Sequence, residues 1–161
     1  LLCSFENSRW AVKSIRIKGV AIGKHPTIPV LFEVPSVRKS RIINFLIDTG
    51  STFSAITEKE AILMGLDCSE FPETRGPAIG FGGWFKTKMI NRLVILTFKA
   101  DRGEWKYNYS NGFRIVCCPE NLKGEEREKF LRYVPCVLGM EILNKFNIFI
   151  NKDEVEFTLN E

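Results

Sequence analysis

A carboxylic acid follows directly on a short run of strand-forming apolar residues. Phe45, Leu46 and Ile47 are typical of a buried strand, and Asp48 comes next. Gly50 then lets the backbone turn sharply. A carboxylate at the end of an apolar strand is costly to bury unless it is hydrogen-bonded, and proteins keep such groups mainly for chemistry. The stretch therefore predicts either a catalytic acid or, as the plainer alternative, an ordinary turn in which Asp48 bonds its own backbone.

The totals for the chain are those of an ordinary globular protein. Its 161 residues, 45% of them hydrophobic and 26% charged, predict one domain over residues 1–161 with a sizeable core. A net charge of +4 from scattered basic residues argues against a nucleic-acid partner. No apolar run approaches the ~18 residues of a membrane span, so we expect no membrane segment in this chain. No signal peptide is visible. A targeting segment upstream of Leu1 stays open, and the cytoplasm is the favoured compartment.

Few side chains could serve as nucleophiles or metal ligands. The five cysteines show no spacing typical of a zinc site, so the sequence predicts neither a metal nor a cofactor. Free buried thiols are one interpretation, and a disulfide from Cys117 or Cys118 to Cys136 is the other. His25 is the only histidine, which argues against most Ser/His or Cys/His catalysis and favours a carboxylate mechanism by elimination.

Strand-like segments dominate the pattern, which predicts a mainly β chain. They cover residues 12–22, 28–34, 41–47, 91–99, 113–118, 147–150 and 155–159. Pro29 indicates that its strand lies at a sheet edge or begins there. Thr57, with Glu60 three residues later, predicts a capping box for a short helix over residues 58–64 that ends at Gly65.

A charged segment interrupts this pattern at residues 120–134. Glu125 and Glu126 stand four and three residues ahead of Lys129, a spacing that stabilises a helix. We therefore expect an exposed helix in a surface insertion that contributes no chemistry.

Glycines are concentrated at Gly80, Gly82 and Gly83, between two strand-like arms. This pattern predicts a β-hairpin with a flexible tip. One interpretation is a plain surface hairpin. The other is a mobile flap in which an aromatic residue such as Phe81 or Trp84 covers a ligand.

Three separated motifs now stand in a recognisable order: Asp48-Thr49-Gly50-Ser51, the hairpin over residues 80–86, and Val137-Leu138-Gly139 ahead of a helical pattern. Together they resemble the retropepsin-like aspartic proteases, a family of single-lobe peptidases, over roughly residues 12–160 in element order. The resemblance implies a small closed β-barrel of the retropepsin (acid protease) type with a short C-terminal helix. It also implies a homodimer with a flap over its cleft.

The resemblance implies a role for each motif residue. Asp48 would be the catalytic carboxylate, and Thr49 would hold the two active loops together across the dimer. Gly50 would let the substrate backbone approach, and Ser51 would bond the outer carboxylate oxygen. The flap and substrate-binding residues would be Gly80, Phe81, Gly82, Gly83 and Trp84. The residues packed behind the active loop would be Val137, Leu138 and Gly139.

The chain also departs from the viral pattern. Viral members often carry Gly-Arg-Asn where this chain has Gly139-Met140-Glu141, and an Asp where it has Thr52, and those charges pair. Both are absent here, so the ion pair has been replaced as a unit. The pattern is closer to cellular, bacterial or archaeal members, and the segment over residues 100–134 is longer than in the viral enzymes.

The resemblance therefore implies that the chain is an aspartic endopeptidase. In it, the two Asp48 carboxylates of a homodimer would activate water to hydrolyse a polypeptide substrate. Two alternatives stay open. One is a catalytically silent peptide-binding or dimerisation module of the same fold. The other is a structural barrel in which Asp48 merely caps a turn.

Overall fold

The computed structural model describes residues 15–22, 25–74, 78–80, 83–151 and 154–159. Within them the chain is mainly β, with thirteen strands and three short α-helices. Strands β1 to β13 are Ile15–Ile22, His25–Val34, Lys39–Ile47, Ala55–Thr57, Ala78–Gly80, Gly83–Phe85, Thr87–Ile90, Val94–Ala100, Gly103–Tyr109, Phe113–Val116, Cys136–Leu138, Asn147–Ile150 and Glu154–Leu159. Helices α1 to α3 are Glu58–Leu63, Gly124–Tyr133 and Met140–Leu143, and 3-10 turns occupy Pro35–Val37 and Cys68–Glu70. No described helix combines the length and the apolar character that a membrane crossing needs.

Eleven strands form one large sheet. Its order is β12-β13-β1-β8-β2-β3-β11-β4-β10-β7, with β9 paired to β8. The pairings are antiparallel, except that β11 runs parallel to β3 and β10 parallel to β4. Among the described strands the path is open, because β12 and β7 at its two ends do not pair with each other. The mainly β prediction is therefore confirmed, whereas closure of the sheet into a barrel is not.

β3 leads to Asp48 and buries one of its two faces in the core. Ile43, Phe45 and Ile47 are buried and Asn44 between them is exposed. This is the alternation of a strand with one face on the core. The last buried side chain of β3 thus lies immediately before the carboxylate.

Pro29 does not mark a sheet edge, contrary to the sequence prediction. β2 lies inside the sheet, with β3 on one side and both β1 and β8 on the other. Its pairing with β1 ends at Thr27 and its pairing with β8 begins at Val30. Pro29 falls in the gap between these two neighbours, so its missing N–H interrupts neither ladder.

Thr57 caps α1 as predicted, because its hydroxyl accepts a hydrogen bond from the N–H of Glu60 at 3.3 Å. The reciprocal half of the capping box does not form. The Glu60 carboxylate pairs instead with Arg41 at 2.7 Å, and the Thr57 N–H faces the thiol of Cys136 at 3.4 Å. Gly65 follows the helix with a φ of 74°, a left-handed conformation that glycine adopts without strain.

The glycine-rich segment forms the predicted hairpin. β5 and β6 pair antiparallel in a separate two-stranded sheet, with Ile79 opposite Trp84 and Gly80 opposite Gly83. Phe81 and Gly82, at the tip, lie outside the described residues. A flap function for this hairpin stays a prediction.

The charged segment contains α2, where the predicted i, i+4 pair joins Lys129 to Glu125 at 2.8 Å. No α2 residue is buried. The Phe130 ring contacts the Phe85 ring at a centroid distance of 5.6 Å, which joins α2 to the base of the hairpin. The interpretation of residues 120–134 as an insertion within one domain stays a prediction.

Three phenylalanines from different strands meet in the core. Phe32 of β2, Phe45 of β3 and Phe113 of β10 are each 0% exposed. The Phe113 ring packs edge-on against Phe32 and Phe45, with centroid distances of 5.0 and 6.3 Å, a geometry that aromatic pairs favour. The cluster ties the strand that leads to Asp48 to the β10 side of the sheet.

Phe113→Ala is expected to lower the free energy of unfolding by about 3–5 kcal/mol, because it deletes a fully buried ring and leaves a cavity. Phe149→Ala is the matched control, since Phe149 is 63% exposed on β12. We expect its effect to stay within about 0.5 kcal/mol. Urea denaturation followed by tryptophan fluorescence measures both variants, and equal losses would contradict the assignment of the core.

Candidate active site

Asp48 lies where β3 leaves the core, and the backbone reverses directly after it. The Ser51 N–H donates to the Asp48 carbonyl at 3.1 Å. The Gly50 N–H donates to Asp48 Oδ1 at 2.9 Å, so one carboxylate oxygen bonds the turn that follows it. The ordinary-turn interpretation predicts this contact. A catalytic carboxylate held in place by its own loop needs it equally, since reacting groups must be preorganised.

The second carboxylate oxygen of Asp48, Oδ2, accepts no hydrogen bond from the described residues, whereas Oδ1 accepts the Gly50 N–H. Asp48 itself is half-buried, and Thr49 beside it is exposed. A carboxylate oxygen that is not already hydrogen-bonded can bind a water molecule or a second acid.

In this single chain the Ser51 hydroxyl does not make the expected hydrogen bond to the Asp48 carboxylate. Its hydroxyl donates to the Phe53 carbonyl oxygen at 2.7 Å. A serine hydroxyl carries one hydrogen, so it cannot donate to the Asp48 carboxylate at the same time. Ser51 here shapes the loop backbone instead of bonding the outer carboxylate oxygen.

β11 lies between β3 and β4 and supports the start of the Asp48 loop. It runs parallel to β3, with Val137 opposite Leu46 and Leu138 opposite Ile47. The Asp48 N–H donates to the Leu138 carbonyl at 3.1 Å, one step beyond the last residue of β3. The structure thus brings the first and third sequence motifs into direct contact.

Gly139 brings the chain against the far half of the same loop. A Cβ atom at this position would lie under 3.0 Å from the backbone of Phe53, so only glycine allows this approach. The Gly139 N–H donates to Ser54 Oγ at 2.9 Å. The next amide, of Met140, donates to the Ser51 carbonyl at 2.8 Å. The strand-to-helix junction therefore contacts the loop at three points.

Sequence reasoning missed three residues that hold this loop. Glu141 accepts a hydrogen bond from the Ser54 N–H at 2.5 Å through Oε1 and one from the Tyr109 hydroxyl at 2.6 Å through Oε2. The only signal for Glu141 was its place two residues after Gly139, the last residue of the third motif. Tyr109 and Ser54 lie 32 and 87 residues from Glu141, and no local pattern marks them.

The hairpin residues are not joined to the Asp48 loop by strand pairing, since β5 and β6 pair only with each other among the described strands. Gly80, Gly83 and Trp84 belong to this pair. The structure therefore brings the first and third motifs together, while the second motif stands in a sheet of its own.

The described cysteines are free, so the disulfide to Cys136 is not formed. Burial raises the pKa of Cys136 to about 12 and that of Cys117 to about 11. It also raises the pKa of Cys68 and Cys118. Because the thiolate is the reactive form, these thiols are poorly suited to nucleophilic catalysis at neutral pH.

A groove of about 260 Å³ lies between β3, α1 and the end of α2. Its walls include Arg41, Lys59, Glu60 and Arg132. None of the predicted site residues lines it, so this groove adds nothing to the chemistry at Asp48.

No protein-family model and no curated protein sequence matches the chain. Solved structures do resemble it. A crystal structure of a retropepsin-like aspartic protease from Rickettsia conorii is 20% identical, with a TM-score of 0.53, and the match covers 94% of this chain and 96% of that chain. EIAV protease complexed with the inhibitor HBY-793 is 19% identical, with a TM-score of 0.43, over 76% of this chain and 88% of that chain.

Similarity at this level of identity speaks to the fold and not to the activity, because one fold hosts many functions. The Rickettsia match spans nearly the whole of both chains. The chain therefore has a retropepsin-like fold.

Proposed function

We propose that this chain is an aspartic endopeptidase that works as a homodimer with one Asp48 from each copy. The observation that carries the proposal is the half-buried Asp48 carboxylate, whose Oδ1 accepts the Gly50 N–H at 2.9 Å while Oδ2 accepts no hydrogen bond from the described residues. The retropepsin-like fold supports it, since the Rickettsia conorii protein of similar structure is described as an aspartic protease.

Peptide hydrolysis of this kind needs two carboxylates close enough to share one proton, because like charges held that close cannot both ionise. The ionised acid takes a proton from a water molecule, which attacks the carbonyl carbon of the peptide. The protonated acid donates its proton to the carbonyl oxygen, which gives a tetrahedral gem-diol. The acid that took the water proton then passes it to the amide nitrogen while the other acid removes a hydroxyl proton, and the C–N bond breaks to release the amine and the carboxylic acid. The mechanism requires no covalent intermediate and no metal.

The other aspartates that the structure describes are engaged elsewhere in the fold. Asp67 accepts hydrogen bonds from Ser69 at the start of a 3-10 turn, and Asp101 accepts one from the Arg16 N–H. Neither contacts the Asp48 loop among the described residues. A twofold homodimer places identical residues face to face across its axis, so a second Asp48 supplies the missing acid.

The finer features implied by the resemblance belong to the same proposal. The hairpin over residues 80–84 acts as the flap over an extended polypeptide, which binds through its main chain. Thr49, exposed in the single chain, links the two active loops across the dimer. We also propose that the large sheet closes into a barrel.

A peptide-binding or dimerisation module without turnover is the second candidate. The observation that favours it is the bond from Gly50 N–H to Asp48 Oδ1, which an Asp that merely caps its own turn makes in the same way. The two candidates differ in peptide cleavage: the endopeptidase cleaves peptides and loses this activity when the Asp48 carboxylate is removed, whereas the module cleaves none.

Asp48→Asn is expected to lower the rate of peptide cleavage by on the order of 10³-fold, since it removes the group that exchanges protons with water and substrate. The amide oxygen of Asn can still accept the Gly50 N–H, so the loop should keep its shape. An internally quenched peptide mixture assayed at acidic pH measures the rate.

Asp67→Asn is the control for this variant, because it changes an exposed aspartate whose amide analogue can still cap the 3-10 turn. We expect its cleavage rate to match the unchanged protein. Undiminished cleavage by a purified Asp48→Asn protein would contradict the proposal, and absence of cleavage by the unchanged protein would favour the silent module.

Mixing gives a separate test of the shared site. When a ninefold excess of Asp48→Asn chain is exchanged with the unchanged chain, activity should fall to roughly one tenth, because most active chains then pair with a variant copy. Asp67→Asn in the same excess should leave the activity per chain unchanged. Sedimentation equilibrium gives the mass in parallel. Full activity in the first mixture, together with a monomeric mass, would rule out the homodimer.

A further inference from the structure

Both oxygens of the Glu141 carboxylate are engaged in short hydrogen bonds. Oε1 accepts the Ser54 N–H at 2.5 Å, and Oε2 accepts the Tyr109 hydroxyl at 2.6 Å. Hydrogen bonds to an ionised acceptor are shorter and stronger than those between neutral groups. Glu141 therefore connects α3, the end of the Asp48 loop and the end of β9.

The loop partner, Ser54, is buried and is hydrogen-bonded through both its backbone N–H and its hydroxyl. It is 0% exposed, its N–H donates to Glu141, and its hydroxyl accepts the Gly139 N–H at 2.9 Å. Because a buried polar group without a partner costs stability, both contacts resist change. Ser54 is the last residue of the loop that begins at Asp48.

The other partner, Tyr109, is anchored in the core. It is 6% exposed, and its ring packs edge-on against Phe113 at a centroid distance of 5.6 Å. Burial raises the pKa of Tyr109, and the hydrogen bond to Glu141 raises it further. The phenol therefore stays a proton donor at neutral pH, and Glu141 is held from a rigid point.

No Lys or Arg forms an ion pair with Glu141 among the described residues. Arg114 lies instead over the Phe53 ring, with its Cζ atom 4.1 Å from the centroid. Glu141 thus binds two neutral donors in fixed directions. Hydrogen bonds to such donors fix the orientation of the Glu141 carboxylate, whereas an exposed ion pair is compatible with many side-chain orientations.

We infer that Glu141, braced by Tyr109, is a positioning residue that sets the geometry of the loop carrying Asp48. At one end of this loop the Asp48 N–H donates to the Leu138 carbonyl, and at the other end the Ser54 N–H donates to Glu141. Only residues 49–53 separate the two ends, so a shift at Ser54 is transmitted to Asp48. Its consequence for catalysis rests on the proposed function, where a misplacement of about 1 Å can cost on the order of 10²-fold in rate.

Three variants test this inference. Glu141→Ala removes both contacts, and Tyr109→Phe removes the brace alone. Glu141→Gln keeps the shape, because its amide oxygen can accept the Ser54 N–H while its NH₂ donates to the tyrosine oxygen. The controls are Tyr107→Phe, on the same face of β9 and without a described hydrogen bond from its hydroxyl, and Glu128→Gln, an exposed residue of α2.

The first measurement needs no activity. Amide hydrogen exchange should show Ser54 exchanging on the order of tenfold faster in Glu141→Ala, since one charge-assisted bond is lost. The NMR shift of the Gly50 amide, which donates to Asp48 Oδ1, should also move in Glu141→Ala and in Tyr109→Phe. A contact that served only global stability would leave the Gly50 amide unchanged while the protein stays folded.

The second measurement is kinetic. Glu141→Ala should lower kcat by about tenfold with KM unchanged within about twofold, and Glu141→Gln should recover most of the loss. The double variant Glu141→Ala/Tyr109→Phe should be no slower than Glu141→Ala alone, because both residues act through one contact.

The outcomes separate cleanly. If Glu141→Ala and Tyr109→Phe match their controls in kcat and in the Gly50 amide shift, the inference is wrong. If Glu141→Ala does not fold, Tyr109→Phe and Glu141→Gln decide by the same readouts. If the unchanged protein cleaves no peptide, the proposed function fails, and the Ser54 and Gly50 amides still decide whether Glu141 positions the loop.

Discussion

The pairing of β11 with β3 is the constraint on which the Asp48 loop depends. Because these strands run parallel, the chain leaves both at the same edge, with Asp48 following one and Gly139 following the other. The bond from the Asp48 N–H to the Leu138 carbonyl extends this ladder beyond the strand. A carboxylate is tolerated at this point because it is only half-buried and the Gly50 N–H satisfies one of its oxygens. The remaining sheet keeps the two strand ends in register.

The loop is held by directional hydrogen bonds. The resemblance to viral retropepsins predicts the loss of an ion pair, because Thr52 and Met140 stand where opposite charges pair in those enzymes. In this chain the next residue, Glu141, accepts hydrogen bonds from the Ser54 N–H and the Tyr109 hydroxyl. Its two donors are a backbone amide and a phenol anchored in the core, which have little conformational freedom.

Local patterns predicted the elements well and their partners poorly. The β3 strand, the Thr57 cap, the hairpin at residues 78–85 and the junction of strand and helix at Gly139 all follow from neighbouring residues, and all are present. Pro29 predicts a sheet edge or the start of a strand because its missing N–H cannot join a central ladder, yet it lies inside β2, in the gap between its pairings with β1 and β8. The predicted capping box at Thr57 is half-formed because Arg41, on another strand, takes the Glu60 carboxylate.

The sequence by itself determined that the chain is mainly β and that an ionisable Asp48 ends a buried strand next to a tight turn. Those features depend on periodicity and on residues within a few positions of one another. Tertiary structure alone decided that Leu138 receives the Asp48 N–H and that Tyr109 braces the loop through Glu141. Such contacts join residues of distant segments, and the packing of the sheet, which no local pattern encodes, brings them within hydrogen-bonding distance.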